Sequence, residues 1–367
     1  MNFPGLSKYQ LSSERGSVLI ISLWVLFFLT FFTVVLGKVI MQKLNVTARI
    51  DNGIKTYFAA CAGIETAKAV LNQEKPKDPK AVYYNWASDE RVFKDVKVGE
   101  AVYNISYQIK TGVLDKTGPV SYVVTYGAGE SEFRTIFGLI DEERKLNINK
   151  APKETLENFF NQMNIEEAKS LASYIIDWRD LDYETDKGGA ENAYYNNLEN
   201  PYSARNGPFK SIYELLLVKG MSKNSFDIIK DYITVFGDGK VNLNTAQKEV
   251  LTALGLTPPL IIKINEYRNG PDGKQFTSDD REFSDTESII PILDSFKGLT
   301  DDEKKELEAA IAGNLIGVKA QSFQVRTTGN VSGRRTGSYP VSYEATYGAY
   351  IDCVISKEGD VLFWNER

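Results

Sequence analysis

The densest group of chemically useful side chains lies in one acidic loop, residues 177–195. Four carboxylates alternate along it, and two glycines after them permit a tight turn: Asp180, Asp182, Glu184, Asp186, Gly188 and Gly189. Calcium binds about six to eight oxygen atoms of this kind, and so many carboxylates would repel one another without a cation. The loop does not fit the EF-hand pattern, whose glycine and final glutamate would be misplaced. The spacing alone leaves two interpretations, a calcium site of another kind or a solvated acidic loop.

A second acidic loop, residues 271–280, contains Asp272, Asp279 and Asp280. These three carboxylates could hold a second calcium ion. The alternative is an ordinary turn, because Asp272-Gly273 is a common turn dipeptide.

The composition excludes several catalytic sites. The 367-residue chain has no histidine, which removes Ser-His-Asp and Cys-His catalysis and histidine-ligated zinc. The net charge of −6, from 49 acidic and 43 basic residues, argues against a nucleic-acid-binding protein. Cys61 and Cys353 form no CxxC pair, so they either join in a disulfide outside the cytoplasm or pack as small buried residues.

Both acidic loops belong to a helical region that contains an internal repeat. The segment KLNINKAPKETL, residues 145–156, aligns with KVNLNTAQKEVL, residues 240–251, so position 145 recurs at position 240, 95 residues later. Each copy is predicted to place a polar helix cap at Asn149 or at Asn244-Thr245. Two copies indicate a duplicated helical unit and not a solenoid, which needs three or more repeats.

The run LLLVKGM at residues 215–221 resembles a helix-hairpin-helix motif. In DNA-binding members, the backbone N–H groups of that hairpin hold phosphate and basic residues surround it. Here Glu214, Asp227 and Asp231 flank the run. We therefore expect the hairpin to pack helices and not to bind DNA.

Alternating strand patterns lie on both sides of the helical region. They occur at residues 101–110, 120–126 and 132–139, and again at 322–331, 341–354 and 361–364. A strand pattern that stops and resumes indicates an insertion. We therefore predict an α+β protein whose antiparallel β domain, residues 72–140 and 316–367, is interrupted by an all-α domain at residues 141–315.

The N-terminal part of the chain predicts a membrane anchor. Residues 18–36 are apolar and uncharged, close to the ~20 residues that cross a bilayer. An apolar spacing of three and four then continues to Leu71, which indicates an amphipathic helix. The expected element is one long helix over residues 17–71, whose second half must pack outside the membrane.

The residues before and inside this helix resemble a type IV prepilin. A short leader ends at Gly16, Ser17 follows it, and the apolar segment begins at Val18. The resemblance implies cleavage of residues 1–16 by a prepilin peptidase and methylation of the new N-terminus at Ser17. Pilins usually carry glutamate as the fifth mature residue, where this chain has Ile21. A subunit without that carboxylate cannot neutralise the amine of a subunit above it, so Ile21 suits the tip of a filament.

Among pilin-like proteins, an apolar fifth residue on such a large chain resembles the K-type minor pseudopilin of the type II secretion system. The stretch YFAACAGIETA, residues 57–67, also resembles that family, with Cys61 where a glutamate is usual. The resemblance covers essentially the whole chain. It implies the pilin-like fold with the inserted domain built from the duplicated helix-hairpin-helix-like unit.

The family resemblance also supplies a ligand set for a structural Ca²⁺. Its calcium loop matches Asp180, Asp182, Asp186 and Glu191, with Glu184 and Asn192 as further candidates. The implied function is non-enzymatic: capping or initiation of the pseudopilus for protein secretion across the outer membrane. The implied location is the bacterial inner membrane, with a single span and most of the chain in the periplasm. The implied partners are other minor pseudopilins, the major pseudopilin and the prepilin peptidase, with no nucleic acid.

Several alternatives stay open at this stage. A minor pilin of a type IV pilus would have nearly the same sequence features. A membrane-anchored DNA-binding protein would use the hairpin at residues 215–221, and an anchored metal-dependent hydrolase would use the clustered carboxylates. A generic single-span membrane protein with a globular tail is the simplest alternative.

Overall fold

The computed structural model describes residues 14–73, 86–110, 113–114, 124–125, 133–182, 184–185, 188–277, 279–331 and 347–366. The helices, in chain order, are α1 Glu14–Asn72, α2 Glu90–Phe93, α3 Lys153–Gln162, α4 Ala168–Arg179, α5 Asn192–Tyr195, α6 Lys223–Ile229, α7 Lys248–Ala253, α8 Pro258–Arg268, α9 Ile289–Lys297 and α10 Asp301–Ala312. Short 3₁₀ turns occupy Glu142–Arg144 and Ile212–Leu217. The strands are β1 Val96–Val98, β2 Ala101–Ile105, β3 Tyr107–Lys110, β4 Val113–Leu114, β5 Val124–Thr125, β6 Phe133–Ile136, β7 Ile140–Asp141, β8 Leu146–Asn147, β9 Ile233–Thr234, β10 Val241–Asn242, β11 Ile316–Gly317, β12 Ser322–Val331, β13 Tyr347–Ser356 and β14 Val361–Glu366.

Helix α1 confirms the long N-terminal helix predicted from the sequence. It contains a window of mean hydropathy 2.7, and it is long and apolar enough to cross a membrane. Side chains along residues 18–36 are exposed in the isolated chain, as lipid-facing side chains are. The second half buries Ala59, Ala60 and Ile64 against the sheet.

The strands before and after the helical region form one antiparallel sheet, with the order β1-β2-β12-β13-β14, and β7 also pairs with β12. Strand β12 pairs with β13 over its full length and with β2 on its other side. Alternate residues such as Val325 and Cys353 are buried against α1, as the two-residue period of a strand requires. The α+β, pilin-like fold class is therefore confirmed.

The strands predicted between residues 101 and 139 are more divided than their sequence patterns indicate. The strand expected over residues 101–110 is divided at Ser106, whose N–H donates to Arg326 O at 3.1 Å. The first part, β2, joins the main sheet, whereas β3 pairs with β6 and β4 pairs with β5 in separate ladders. Of the strand predicted over 120–126, only residues 124–125 are described, and residues 341–346 of the later strand lie outside the described part of the chain.

The helical region contains the duplicated unit that the repeat predicts. In the first copy β8 pairs with β9 in parallel, with α3 to α6 between them. In the second copy β10 pairs with β11 in parallel, with α7 to α10 between them. The predicted polar caps are wrong, because α3 and α7 begin after Pro152 and Gln247, and neither residue makes a side-chain cap. Asn149 and Asn244 instead bind backbone groups of more distant segments.

Two large clusters of buried side chains lie in the described residues. One extends from Leu146 to Val318, and the other combines α1 with strands from both sides of the helical region. The exact domain boundaries stay a prediction. Between the clusters lies a short buried segment, residues 141–145, which we call the junction.

The junction is held by the side chains of ionisable residues. The Glu143 carboxyl group accepts hydrogen bonds from the N–H groups of Gln321 and Ser322, both at 3.0 Å. Lys145 donates to Glu142 and to Gln324 on β12. The junction therefore ties the helical region to the central strand of the sheet.

Candidate metal centre

Three carboxylates converge at the end of α4. Asp177, Asp180 and Glu191 each offer an oxygen atom, and these atoms lie within 4.8 Å of one another. Oxygen ligands of one calcium ion lie at about 2.3–2.6 Å from the metal, so they cannot be much more than about 5 Å apart. The three oxygens satisfy that limit.

Packing of aromatic side chains brings the two sides of this loop together. Trp178 lies next to Asp177, and its ring contacts those of Tyr195, Tyr202 and Phe209 at centroid distances of 5.1, 6.2 and 6.3 Å. These contacts hold the segment after the loop against α4. Glu191, the N-cap of α5, therefore lies near the C-terminal end of α4.

Gly189 lets the returning chain pass directly over the Asp177 carboxylate. A Cβ atom built at this glycine would overlap that carboxylate. The close approach therefore depends on the missing side chain.

The electrostatics of the cluster favour a bound cation. Burial raises the pKa of Asp180 to about 6, and the negative charges of Asp182, Glu191 and Asp177 contribute. Burial also raises the pKa of Glu191. Asp180 Oδ1, Glu191 Oε1 and Asn206 Oδ1 are buried and accept no hydrogen bond within the described part of the chain. Buried acceptors of this kind are costly unless a partner satisfies them, and the donor set of carboxylate and amide oxygens fits calcium.

The structure brings together only part of the predicted ligand set. Asp180 and Glu191 lie in the cluster, whereas Asp182 and Glu184 are exposed, and Asp182 Oδ1 accepts a hydrogen bond from the Glu184 N–H at 2.8 Å. Asn192 Oδ1 accepts from Ala204 N at 2.7 Å. Asp186 lies outside the described residues.

Asp177 is a member of the cluster that sequence reasoning missed. The alternating spacing predicts carboxylates on a loop, but α4 continues to Arg179. Residues three apart on a helix are neighbours on its surface, and Asp177 and Asp180 have this spacing at the helix end. The extent of the helix was the signal that could have identified Asp177.

The second acidic loop has a different arrangement. Asp280 Oδ2 accepts from Phe276 N at 2.6 Å, and Asp279 accepts from Asp272 N at 3.0 Å and from the Thr277 hydroxyl at 2.7 Å. The two hydrogen bonds to Asp279 lower its pKa, the Thr277 bond most strongly, whereas burial raises the pKa of Asp280 to about 6. Donors within the loop thus satisfy Asp279 and Asp280, and among the described residues Asp272, Asp279 and Asp280 do not form a metal-ligand group. These hydrogen bonds favour the alternative of an ordinary turn over a second calcium site.

The two cysteines carry free thiols in the structure, so the alternative of a disulfide is not supported. Cys353 is buried on β13 and Cys61 is partly buried on α1, in the same cluster. Burial raises the pKa of the Cys353 thiol to about 12. Both residues act as small packing residues here.

The hairpin at residues 215–221 contacts aromatic rings. Lys219 Nζ lies 4.2 Å from the ring centroid of Tyr194 and 4.8 Å from that of Tyr174. The one lysine of the hairpin is thus engaged in cation–π contacts.

The predicted N-terminal sites lie on α1. The helix begins at Glu14 and passes through Gly16 and Ser17 without a break. Ile21 is exposed on this helix. Processing at Gly16, methylation at Ser17 and the role of Ile21 stay predictions.

Comparison with known proteins gives consistent matches. Residues 137–238 match the family model described as type II secretion system protein K. A curated relative, type II secretion system protein K of Aeromonas hydrophila, is 24% identical over 254 residues, which are 64% of this chain and 68% of the relative. A chain in the crystal structure of the GspK-GspI-GspJ complex of enterotoxigenic Escherichia coli matches with a TM-score of 0.55 and 14% identity, over 89% of this chain and 98% of that one.

The matched family region contains the first copy of the repeat and the carboxylate cluster. The structural match extends the similarity in fold to nearly the whole chain. The long apolar helix, the divided sheet and these matches all support a likeness to protein K of the type II secretion system, a minor pseudopilin.

Proposed function

We propose that the protein is a non-catalytic assembly subunit at the tip of the type II secretion pseudopilus. It is anchored in the inner membrane by the first half of α1, and its remaining domains face the periplasm. The observation that carries the proposal is the combination, in the described residues, of an apolar helix with a sheet interrupted by a large helical insertion. This combination matches a chain of the GspK-GspI-GspJ complex over 89% of this chain.

Two features support a position at the tip. Ile21 offers no carboxylate to the N-terminal amine of a subunit above it, and an unpaired ammonium inside the bilayer is costly. The helical insertion is also large, because its buried cluster extends from Leu146 to Val318. A subunit of this shape ends a helical stack more readily than it continues one.

The partners that we propose are two other minor pseudopilins, of the kinds that accompany GspK in the similar complex. The test is co-expression of the full chain with those two proteins, followed by purification in detergent and native mass spectrometry. A three-protein complex is expected. A chain that purifies alone, while its two partners still bind each other, would contradict the proposal.

The N-terminal proposal is tested in cells. We expect the prepilin peptidase to cut after Gly16 and the new N-terminus at Ser17 to be methylated. Gly16→Val should block processing, and Ile21→Glu should leave processing intact but permit further subunits, including the major pseudopilin, to add above the tip. Normal processing of the Gly16→Val protein would contradict the leader assignment.

We further propose that the carboxylate cluster holds one structural Ca²⁺. Asp177, Asp180 and Glu191 would supply carboxylate oxygens, and Asn206 would supply its buried amide oxygen. When bound, the ion supplies positive charge that offsets the repulsion among the carboxylates. The residues of this chain position the ligands. Gly189 permits the loop to pass close to Asp177, and Trp178 packs against the aromatic ring of Tyr195 beside the loop.

A further inference from the structure

The segment that follows the carboxylate cluster also holds the first hairpin. We define the return segment as residues 191–205. We define the first hairpin as residues 211–221, which include the run at residues 215–221 described above. Tyr202 donates its hydroxyl to Leu217 O at 2.8 Å, and Lys219 N donates to the Tyr195 hydroxyl at 3.3 Å. The Tyr194 ring lies 4.2 Å from Lys219 Nζ. Three tyrosines of the return segment therefore contact the backbone or the lysine of the hairpin.

The return segment is attached in turn to the carboxylate cluster. It begins at Glu191, a member of the cluster, and Asn192 Oδ1 accepts from Ala204 N, which closes the segment on itself. Directly after it, Asn206 donates to Asp182 O at 2.7 Å. The rings of Tyr195 and Tyr202 pack on Trp178, the neighbour of Asp177. Displacement of the loop around the cluster would thus move the tyrosines.

The second copy of the unit has an equivalent hairpin, residues 289–300, which we call the second hairpin and which a helix contacts. Lys263 on α8 donates to Gly298 O at 2.9 Å and to Glu303 at 2.7 Å. Its acidic loop is stabilised by the loop's own N–H groups, as at Phe276 N and Asp280. The two copies share a fold but differ in how the loop carboxylates are satisfied.

We infer that Ca²⁺ at the carboxylate cluster controls how firmly the first hairpin packs against the return segment, through the tyrosines of that segment. This inference rests on the proposed calcium site. Without the cation, repulsion among Asp177, Asp180 and Glu191 displaces the loop, and Tyr195 and Tyr202 lose their fixed positions. A ligand that binds one of two conformations shifts the population toward it.

The consequence lies at the surface of the hairpin. Tyr213, Leu216 and Leu217 are exposed there. Packing of the hairpin against the return segment fixes the orientation of these apolar side chains. The presence or absence of bound Ca²⁺ therefore determines which surface this side of the inserted domain presents. The second hairpin does not share this control.

Hydrogen–deuterium exchange of the full chain in detergent tests the inference, with calcium binding measured on the same samples by equilibrium dialysis. With Ca²⁺, amides at residues 217–221 should exchange about tenfold more slowly than with a chelator, as expected when local opening becomes less favourable. Amides at residues 298–300 of the second hairpin should be unchanged. This second hairpin is an internal control for general stabilisation.

Substitutions separate binding from coupling. The double variant Tyr195→Phe, Tyr202→Phe keeps both rings but removes the hydroxyls that contact the hairpin. It should bind calcium as the wild type does but lose the calcium-dependent protection of residues 217–221. Tyr194→Phe is the matched control, because it keeps the ring that contacts Lys219, and its protection should stay at the wild-type level.

The possible failures are distinguishable. Calcium binding without a change at residues 217–221, or an equal change in both hairpins, overturns the coupling and leaves the calcium site intact. Retention of protection in the double variant also overturns the coupling. Absence of calcium binding overturns the site and the coupling with it.

Discussion

Asn149 and Asn244, at equivalent positions of the two repeat copies, form the same set of hydrogen bonds. The Asn149 amide donates to Phe209 O at 2.9 Å and Val235 O at 3.2 Å and accepts from Phe209 N at 2.7 Å. The Asn244 amide donates to Phe283 O and Val318 O, both at 3.0 Å, and accepts from Phe283 N at 2.8 Å. Each asparagine joins the segment after an acidic loop to the end of a parallel strand pair. The repeat therefore preserves an internal cross-link and not a helix cap.

This equivalence predicts equal effects of substitution. Asn149→Ala and Asn244→Ala should each lower the free energy of unfolding by about 2–3 kcal/mol, because each leaves backbone groups without partners. Asn161→Ala, on the exposed face of α3, is the control and should change stability little. Urea unfolding followed by tryptophan fluorescence measures all three. A large effect of only one of the two substitutions would contradict their equivalence.

The glycine over the carboxylate cluster gives a prediction about affinity. Gly189→Ala should weaken calcium binding at least about tenfold, because the new Cβ displaces the Asp177 carboxylate and calcium requires several oxygens in reach at once. Gly207→Ala is the control in the neighbouring loop, where the nearest atom to the added Cβ would be Arg205 O at 3.9 Å. Isothermal titration with Ca²⁺ compares the two variants. Equal affinities would show that Asp177 is not a ligand.

The contact between α1 and the sheet depends on Gly329. A Cβ atom at this position on β12 would overlap the carbonyl oxygen of Thr56 on α1. Gly329→Ala should therefore destabilise the protein by about 1–3 kcal/mol, the usual cost of overpacking. Gly53→Ala on the same helix has open space around its Cβ and should be neutral or slightly stabilising. Thermal unfolding in detergent distinguishes them, and a neutral Gly329→Ala would refute this packing.

The junction predicts a dependence of stability on pH. Burial, followed by the negative charge of Asp141, raises the pKa of Glu143 from 4.5 to about 8. A folded-state pKa above the unfolded value means that protonation stabilises the fold. That stabilisation is complete below about pH 4.5 and is lost as the pH rises through about 8.

The melting temperature should therefore fall between about pH 6 and about pH 9. Glu143→Gln keeps a neutral group at the junction and should flatten this part of the profile. Glu308→Gln, on the exposed side of α10, is the control and should retain the wild-type slope. Differential scanning calorimetry across this range checks the prediction. An unchanged slope in Glu143→Gln would assign the pH dependence to another group.

The sequence predicted elements whose signal is local and continuous. The apolar period from Val18 to Leu71 predicted α1, and the strand over residues 322–331 was predicted with its observed bounds. The repeat predicted the duplicated unit because both copies keep the same short motif. Pairing was harder: β2 ends at Ile105 because it pairs with Thr327 and Thr328 on β12, more than 200 residues later. Nothing in the local pattern around Ser106 encodes that partner.

The carboxylate cluster was predicted in part for the same reason. Asp180 and Glu191 came from the acidic loop, but Asp177 joins them only because α4 extends to Arg179. Asn206, which we propose as a further ligand, comes from a segment beyond the acidic loop and is tied to that loop by its hydrogen bond to Asp182 O. The local spacing of Asp and Glu residues therefore identified the region of the cluster but not all of the oxygen atoms proposed as calcium ligands.

The most direct test of the account is the number of calcium ions that the full chain binds, measured by equilibrium dialysis in detergent. We predict about one ion per chain with tight binding, in accord with the single convergent group of carboxylates among the described residues. Asp180→Asn combined with Glu191→Gln should abolish binding, and Asp279→Asn in the second loop should not affect it. No binding by the wild-type chain, or binding lost with Asp279→Asn and kept with the double variant, would contradict the account.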